Sequence, residues 1–167
     1  PVLGWLLLRG RCFDCAEPIS VRYPLVEAGT GLAFVLVALR MGADEEGLRL
    51  LPAYLTFAAV GIALALIDLD VQRLPDSIVL PSYAVLAGLL LIAWDGEALL
   101  RAAIGAAILG AFFFIVWLVA PGGMGFGDVK LSGVVGGMTA YLTWGTFLVG
   151  VFMGFLLGAV AGGLLMA

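Results

Sequence analysis

Long apolar stretches alternate with short polar ones along most of this chain. Five apolar runs occupy about 24–40, 51–67, 77–94, 98–120 and 145–167, and a shorter one, 129–141, precedes the last. A helix needs about 20 apolar residues to cross the hydrocarbon core of a bilayer. The runs lack a period of two, and lipid tolerates no open sheet edge, so the pattern predicts helices. The expected fold is all-α: a polytopic transmembrane helix bundle over 24–167, with about six membrane helices. The polar connections are short: "MGADEEGLR" (41–49), "DLDVQRLPD" (68–76), "DGE" (95–97) and "PGGMGFG" (121–127). Residues 1–23 break the pattern, with a brief apolar start, then charges, cysteines and Pro18. That stretch is too polar to span and is expected as a surface segment.

Composition sharpens the picture. The chain has 167 residues, 63% hydrophobic and 12% charged. A soluble domain carries roughly 25% charged residues. The net charge of −4 argues against a nucleic-acid partner. The absence of histidine excludes a histidine triad or a histidine-held metal within this chain. The two cysteines, Cys12 and Cys15, cannot make a disulfide framework. The chain opens on Pro1 with no basic n-region, which reads as a fragment or a processed form.

Charge also gives a topology. Between Asp68 and Asp128 the chain crosses out and back, so both aspartates fall on one side of the membrane. That side carries Arg9, Arg11, Arg22, Arg73 and Lys130, against Arg40, Arg49 and Arg101 on the other. The excess places the aspartates on the cytoplasmic side.

Two polar stretches carry candidate chemistry. In "IDLDVQRLPD" an apolar run ends at Asp68, and Asp70 and Asp76 follow in a loop stiffened by Pro75. A solvated interfacial loop explains these acids equally well. In "GMGFGD" the glycines allow a sharp turn and close approach before Asp128. A flexible turn before a helix whose N-terminus favours an acid is the alternative. Charges entering hydrocarbon cost roughly 2.5–3.5 kcal/mol each, which makes edge acids worth explaining. Taken together, two carboxylates converging at helix ends can share one proton, one activating water and the other protonating the scissile carbonyl. The loop 121–127, with four glycines, is expected to move to admit substrate.

The ordered stretches "PVLGWLLLRGRCFDC", "PISVRYPLVEAGTG", "DLDVQRLPD" and "GMGFGDVKL" resemble the bacterial type IV prepilin peptidases, GxGD-type membrane aspartic proteases. The resemblance implies Asp68 and Asp128 as the catalytic pair, with Asp70 as the rival for the first position. It implies an endopeptidase that removes the basic leader of type IV prepilins and type II secretion pseudopilins at the cytoplasmic face of the bacterial inner membrane. It also implies N-methylation of the new amino terminus from S-adenosylmethionine, in a region holding Arg22, Tyr23 and Glu27; no Gly-rich methyltransferase signature accompanies them. Lys130 matches a family lysine, for headgroup anchoring or charge balance. Family members commonly carry two CxxC pairs, enough for a zinc; here only "CFDC" is present, so Cys12 and Cys15 are half of such a site or a plain thiol pair.

Other readings remain at this point. A presenilin-like or signal-peptide-peptidase-like enzyme would share only the GxGD element, and its other aspartate would follow an aromatic residue rather than Ile67. A transporter or channel also uses Gly-broken helices near acids, but nearer the bilayer midplane. A structural subunit of a secretion machine is a third.

Overall fold

The computed structural model describes residues 2–120 and 124–166. Its regular elements are seven helices: α1 Val2–Leu7, α2 Arg22–Met41, α3 Glu45–Val71, α4 Asp76–Ala93, α5 Gly96–Val119, α6 Phe126–Leu142 and α7 Trp144–Met166. No strand occurs among the described residues, and the only extended pairing there is an isolated bridge between Arg11 and Pro18. The protein is thus an all-helical membrane protein. Four helices, α2 to α5, are long and apolar enough to cross a bilayer. Among the described residues these four meet the length of a span, in keeping with the expected helical membrane bundle; α7 adds a shorter apolar stretch over Trp144–Leu156, and α6 has 17 residues, with Asp128 and Lys130 in its first turns.

The chain divides into two compact units, Pro1–Ile62 and Ala63–Ala167. In the first, α1 leads into a polar turn closed by backbone bonds from Ile19 N–H to the Gly10 carbonyl (2.7 Å) and from Cys12 N–H to the Glu17 carbonyl (2.8 Å). Gly10 holds φ +72°, a left-handed backbone that glycine adopts without strain. The Trp5 indole N–H donates to the Ile19 carbonyl at 3.0 Å and fastens this turn to α1.

Helix ends differ from the apolar runs for local reasons. The third helix starts at Glu45 rather than near 51. Glu45 and Glu46 suit the positive end of the helix dipole, and Arg49 pairs with Glu45 one turn on. It also continues past Asp68 to Val71, where Gln72 takes φ +50° and donates its N–H to the Asp68 carbonyl at 2.8 Å. Asp70 is thus helical, and Asp76 opens α4 instead of lying in the loop. Pro75, extended at φ −73° and ψ 127°, sits just before that helix, where its missing N–H costs nothing. Asp95 caps α5 by accepting from Glu97 N–H and Ala98 N–H. Thr143 breaks α6 from α7 and accepts from Thr146 N–H at 3.0 Å.

The second unit is built on close backbone approach between α5 and α6. A Cβ on Gly136 would lie 2.5 Å from the Gly105 carbonyl oxygen and 2.9 Å from Leu109 Cβ. Only glycine fits there, the small-residue packing that lets membrane helices gain contact without a hydrophobic driving force. Arg101 of α5 then closes the far end of α6. Its guanidinium donates to the carbonyls of Ala140 (2.7 Å), Tyr141 (2.5 Å) and Leu142 (3.2 Å), in the last turn of the helix, where carbonyls commonly take such donors. Outward-facing Ile92, Leu118 and Val119 are exposed, as lipid contact requires.

Candidate active site

The start of α6 decides where Asp128 sits. Gly125 is the N-cap, and Asp128 is the third residue of the helix. Asp128 N–H donates to the Gly125 carbonyl at 3.2 Å, while Gly125 N–H donates back to the Asp128 carboxylate. An acid at this third position satisfies a donor that the helix leaves unpaired. The helix begins at Phe126, two residues earlier than the glycine-rich pattern suggests, so Gly127 lies inside it.

Gly127 has a packing role. A Cβ there would lie 2.9 Å from Leu74 Cβ and 3.2 Å from Leu74 Cδ1. The bare backbone lets the α3–α4 connection press against the start of α6. That contact draws the end of α3, which carries Asp68, toward the turn that carries Asp128. Residues 121–123 of the expected mobile loop lie outside the described residues.

Asp68 and Asp128 line one cavity of about 730 Å³, together with Gln72, Arg73, Asp76 and Lys130. Ligand pockets commonly measure roughly 300–1,000 Å³. Asp68 is exposed and Asp128 half-buried. The two carboxylates are close enough for the charge of Asp68 to act on Asp128. Asp70 is exposed and is not among the described residues lining the cavity. The arrangement offers two acids to one polar space, which suits general acid–base work on a peptide bond.

Lys130 is engaged in charge balance. Its ammonium donates to both carboxylate oxygens of Asp76, at 2.7 and 2.8 Å, and lies 5.1 Å from the centre of the Phe126 ring. The Tyr83 hydroxyl of α4 donates to the Lys130 carbonyl at 2.5 Å, in space that Gly133 leaves by having no side chain. These contacts tie α4 to α6 one turn past Asp128. Leu74, Tyr83 and Arg101 escape a reading of the sequence, because each acts on a backbone distant along the chain. The one legible hint was the glycine spacing in α6, which implies close neighbours without naming them.

Cys12 and Cys15 stand in the polar turn of the first unit. The Cys12 thiol is held below its ordinary range, first by the backbone N–H of Cys15, then by that of Asp14 and by the Cys15 side chain. Such a turn suits a thiolate or half of a metal site. Two thiols do not complete the four ligands of a structural zinc, and no group of three or more Cys, Asp or Glu able to hold a metal occurs among the described residues. The Glu27 carboxylate accepts from Val2 N–H at 2.6 Å, joining α2 to α1. Arg22 N–H, at the start of α2, donates to Ser20 Oγ at 3.2 Å, and Tyr23 is exposed.

The chain resembles known proteins over most of its length. Residues 1–41 match the family model for the bacterial peptidase A24 N-terminal domain, and residues 55–165 match that for the type IV leader peptidase family. The chain is 41% identical over 168 residues to a prepilin leader peptidase/N-methyltransferase of Pseudomonas putida, covering 97% of this chain and 55% of that one. It is 37% identical over 172 residues to one from Aeromonas hydrophila, with the same coverage, and 39% identical over 168 residues to one from Myxococcus xanthus, covering 48% of it. The chain spans about half the length of the curated relatives it matches. No solved structure matches it. With the second unit almost entirely inside the matched region, the chain belongs to the type IV leader peptidase family.

Proposed function

We propose that the whole protein is a membrane aspartic endopeptidase that removes the leader of type IV prepilins and type II secretion pseudopilins. The observation that carries this reading is the convergence of Asp68 and Asp128 on one polar cavity. One carboxylate takes a proton from water as the water oxygen attacks the scissile carbonyl carbon. The other, protonated, gives its proton to the carbonyl oxygen. Collapse of the tetrahedral intermediate breaks the C–N bond, and the leaving nitrogen receives a proton from the pair. Residues 24–167 would form the membrane peptidase domain and 1–23 a cytoplasmic surface segment. Charge balance supports an inner-membrane protein with its site on the cytoplasmic side. The names of the relatives support N-methylation of the new amino terminus as a second activity, for which S-adenosylmethionine would supply the methyl group. Zinc would bind only with two ligands beyond Cys12 and Cys15. Neither family membership nor geometry favours the transporter reading. The test is incubation of the full-length enzyme with a prepilin in detergent, followed by mass analysis of the new N-terminus. An uncleaved prepilin with folded enzyme would overturn the proposal.

A further inference from the structure

Leu3, Leu6 and Leu7 stand three and four positions apart, so they share one face of α1. All three are exposed, Leu7 at 83%. Trp5 falls on the opposite face, two residues on at a helical turn of 3.6 residues. Its ring is half-buried against Gly10, where an added Cβ would stand 2.9 Å from Trp5 Cζ2, and its N–H reaches the Ile19 carbonyl. A helix of six residues has little stability alone. Trp5 and the bond from Val2 N–H to the Glu27 carboxylate fasten this one to the rest of the unit, so its leucine face is held outward.

The bond from Val2 to Glu27 also fixes the level of α1 beside α2. Arg22 is the first residue of α2, a helix long and apolar enough to cross a bilayer. Glu27 lies five residues on, about 7.5 Å along the axis. The headgroup layer on each side of the hydrocarbon is about 5–7.5 Å deep. With Arg22 among the headgroups, the start of α1 is level with the boundary where acyl chains begin. Arg9 and Arg11 follow α1 directly and are exposed. Residues 1–23 hold Arg9, Arg11 and Arg22 against two acids, Asp14 and Glu17, although the whole chain carries a net charge of −4.

We infer that α1 lies in the bilayer interface, with Leu3, Leu6 and Leu7 among the acyl chains and Arg9 and Arg11 on the phosphates of anionic lipids. Leucines on one face with arginines beside them suit a helix lying in the interface plane. Two observations make the occupant lipid. The leucine face belongs to a helix bonded, at this depth, to a membrane-crossing helix whose Leu25, Leu32 and Leu36 are themselves exposed. The basic margin next to it complements an anionic surface. The inference stands apart from the proposed peptidase activity. It holds the turn carrying Cys12 and Cys15 at the membrane surface.

The test places full-length enzyme in mixed vesicles of phosphatidylethanolamine and phosphatidylglycerol. A photoreactive diazirine on the acyl chain should label the peptide carrying residues 3–7 in the parent enzyme, with the label on α4 as the internal standard. Leu3→Gln/Leu7→Gln should lower that label by about tenfold or more. At equal share, phosphatidylglycerol bearing the diazirine should label the peptide more than phosphatidylethanolamine does. Arg9→Gln/Arg11→Gln should reduce that preference by about fivefold for each charge lost. Circular dichroism confirms that each variant is folded, and the parent measurement needs no substitution. A parent enzyme labelled on α4 but not on residues 3–7 overturns the inference. So does a photoreactive benzoylphenylalanine replacing Leu7 that joins only to other parts of the chain, the result expected if protein covers this face. Equal labelling by the two lipids overturns the role given to the arginines.

Discussion

Adding one methyl group at Gly127 should damage both stability and cleavage. A Cβ on residue 127 would stand 2.9 Å from Leu74 Cβ, 3.2 Å from Cδ1 and 3.3 Å from Cγ. Carbon atoms rest at about 3.5–4.0 Å, so the closest approach is short by about 0.6 Å. The encroached atom is a Cβ fixed to backbone, which a rotamer change cannot move. Overpacking of this kind costs about 1–3 kcal/mol. Replacing glycine by alanine inside a helix returns about 0.5–1 kcal/mol, and the first turn returns the low end. The steric cost therefore wins, and Gly127→Ala should be less stable by about 0.5–2.5 kcal/mol. Relief must come from displacement of Leu74 or of the helix start that carries Asp128. A 1 Å error in catalytic geometry can cost about a hundredfold, so a shift of several tenths should cost about tenfold in cleavage. The assay is prepilin cleavage by purified full-length enzyme, beside thermal unfolding. Leu74→Ala in the same chain removes Cγ and Cδ1 but leaves Cβ, so it should restore part of the loss. Gly125→Ala should cost far less stability, because its added Cβ meets only Asp128 Oδ2 at 3.6 Å and Gly127 N at 4.0 Å. A Gly127→Ala enzyme that is as stable as the parent and cleaves at the parent rate would refute the reasoning.

Arg101→Met should leave three carbonyls at the end of α6 without their donor, lowering stability by roughly 1.5–3 kcal/mol in a thermal or denaturant melt. Asp76→Asn should weaken the pair with Lys130, which is partly exposed, by less than about 1 kcal/mol; cleavage should fall only a few-fold, with a smaller effect in high salt. The lowered Cys12 thiol keeps its thiolate to lower pH than an unperturbed cysteine does, so its alkylation in folded protein, followed by peptide mass mapping, should reach half-maximal rate at lower pH than in denatured protein. A folded midpoint at or above the denatured one would remove the hydrogen bonds as its cause.

The helices were legible because lipid leaves the backbone so few choices. Apolar runs therefore located α2 to α5. Their ends were harder. Glu45 and Arg49 looked like a loop because polar residues in the first turns of a helix interrupt an apolar run while favouring the helix itself. The stop at Gln72 was hidden because a non-glycine residue takes the left-handed backbone there. Asp68 and Asp128 stood out as acids beside apolar runs, and counting crossings put them on one side. The α5–α6 contact through Gly105 and Gly136 could be suspected from small residues, but its partners and register depend on three-dimensional packing. The same is true of Leu74 against Gly127: the glycine was visible, and expected to admit substrate, whereas the space it opens is taken by the chain's own leucine.

The most direct test of the account is the leader cleavage of a prepilin by full-length parent, Asp68→Asn, Asp128→Asn and Asp70→Asn enzymes, with mass analysis of the product and circular dichroism of each variant. Each amide keeps the shape of its acid and removes one proton carrier from the pair. The account predicts folded Asp68→Asn and Asp128→Asn enzymes with no detectable cleavage, and an Asp70→Asn enzyme that still cuts the leader. Normal cleavage by Asp128→Asn, or an inactive Asp70→Asn beside an active Asp68→Asn, would contradict it.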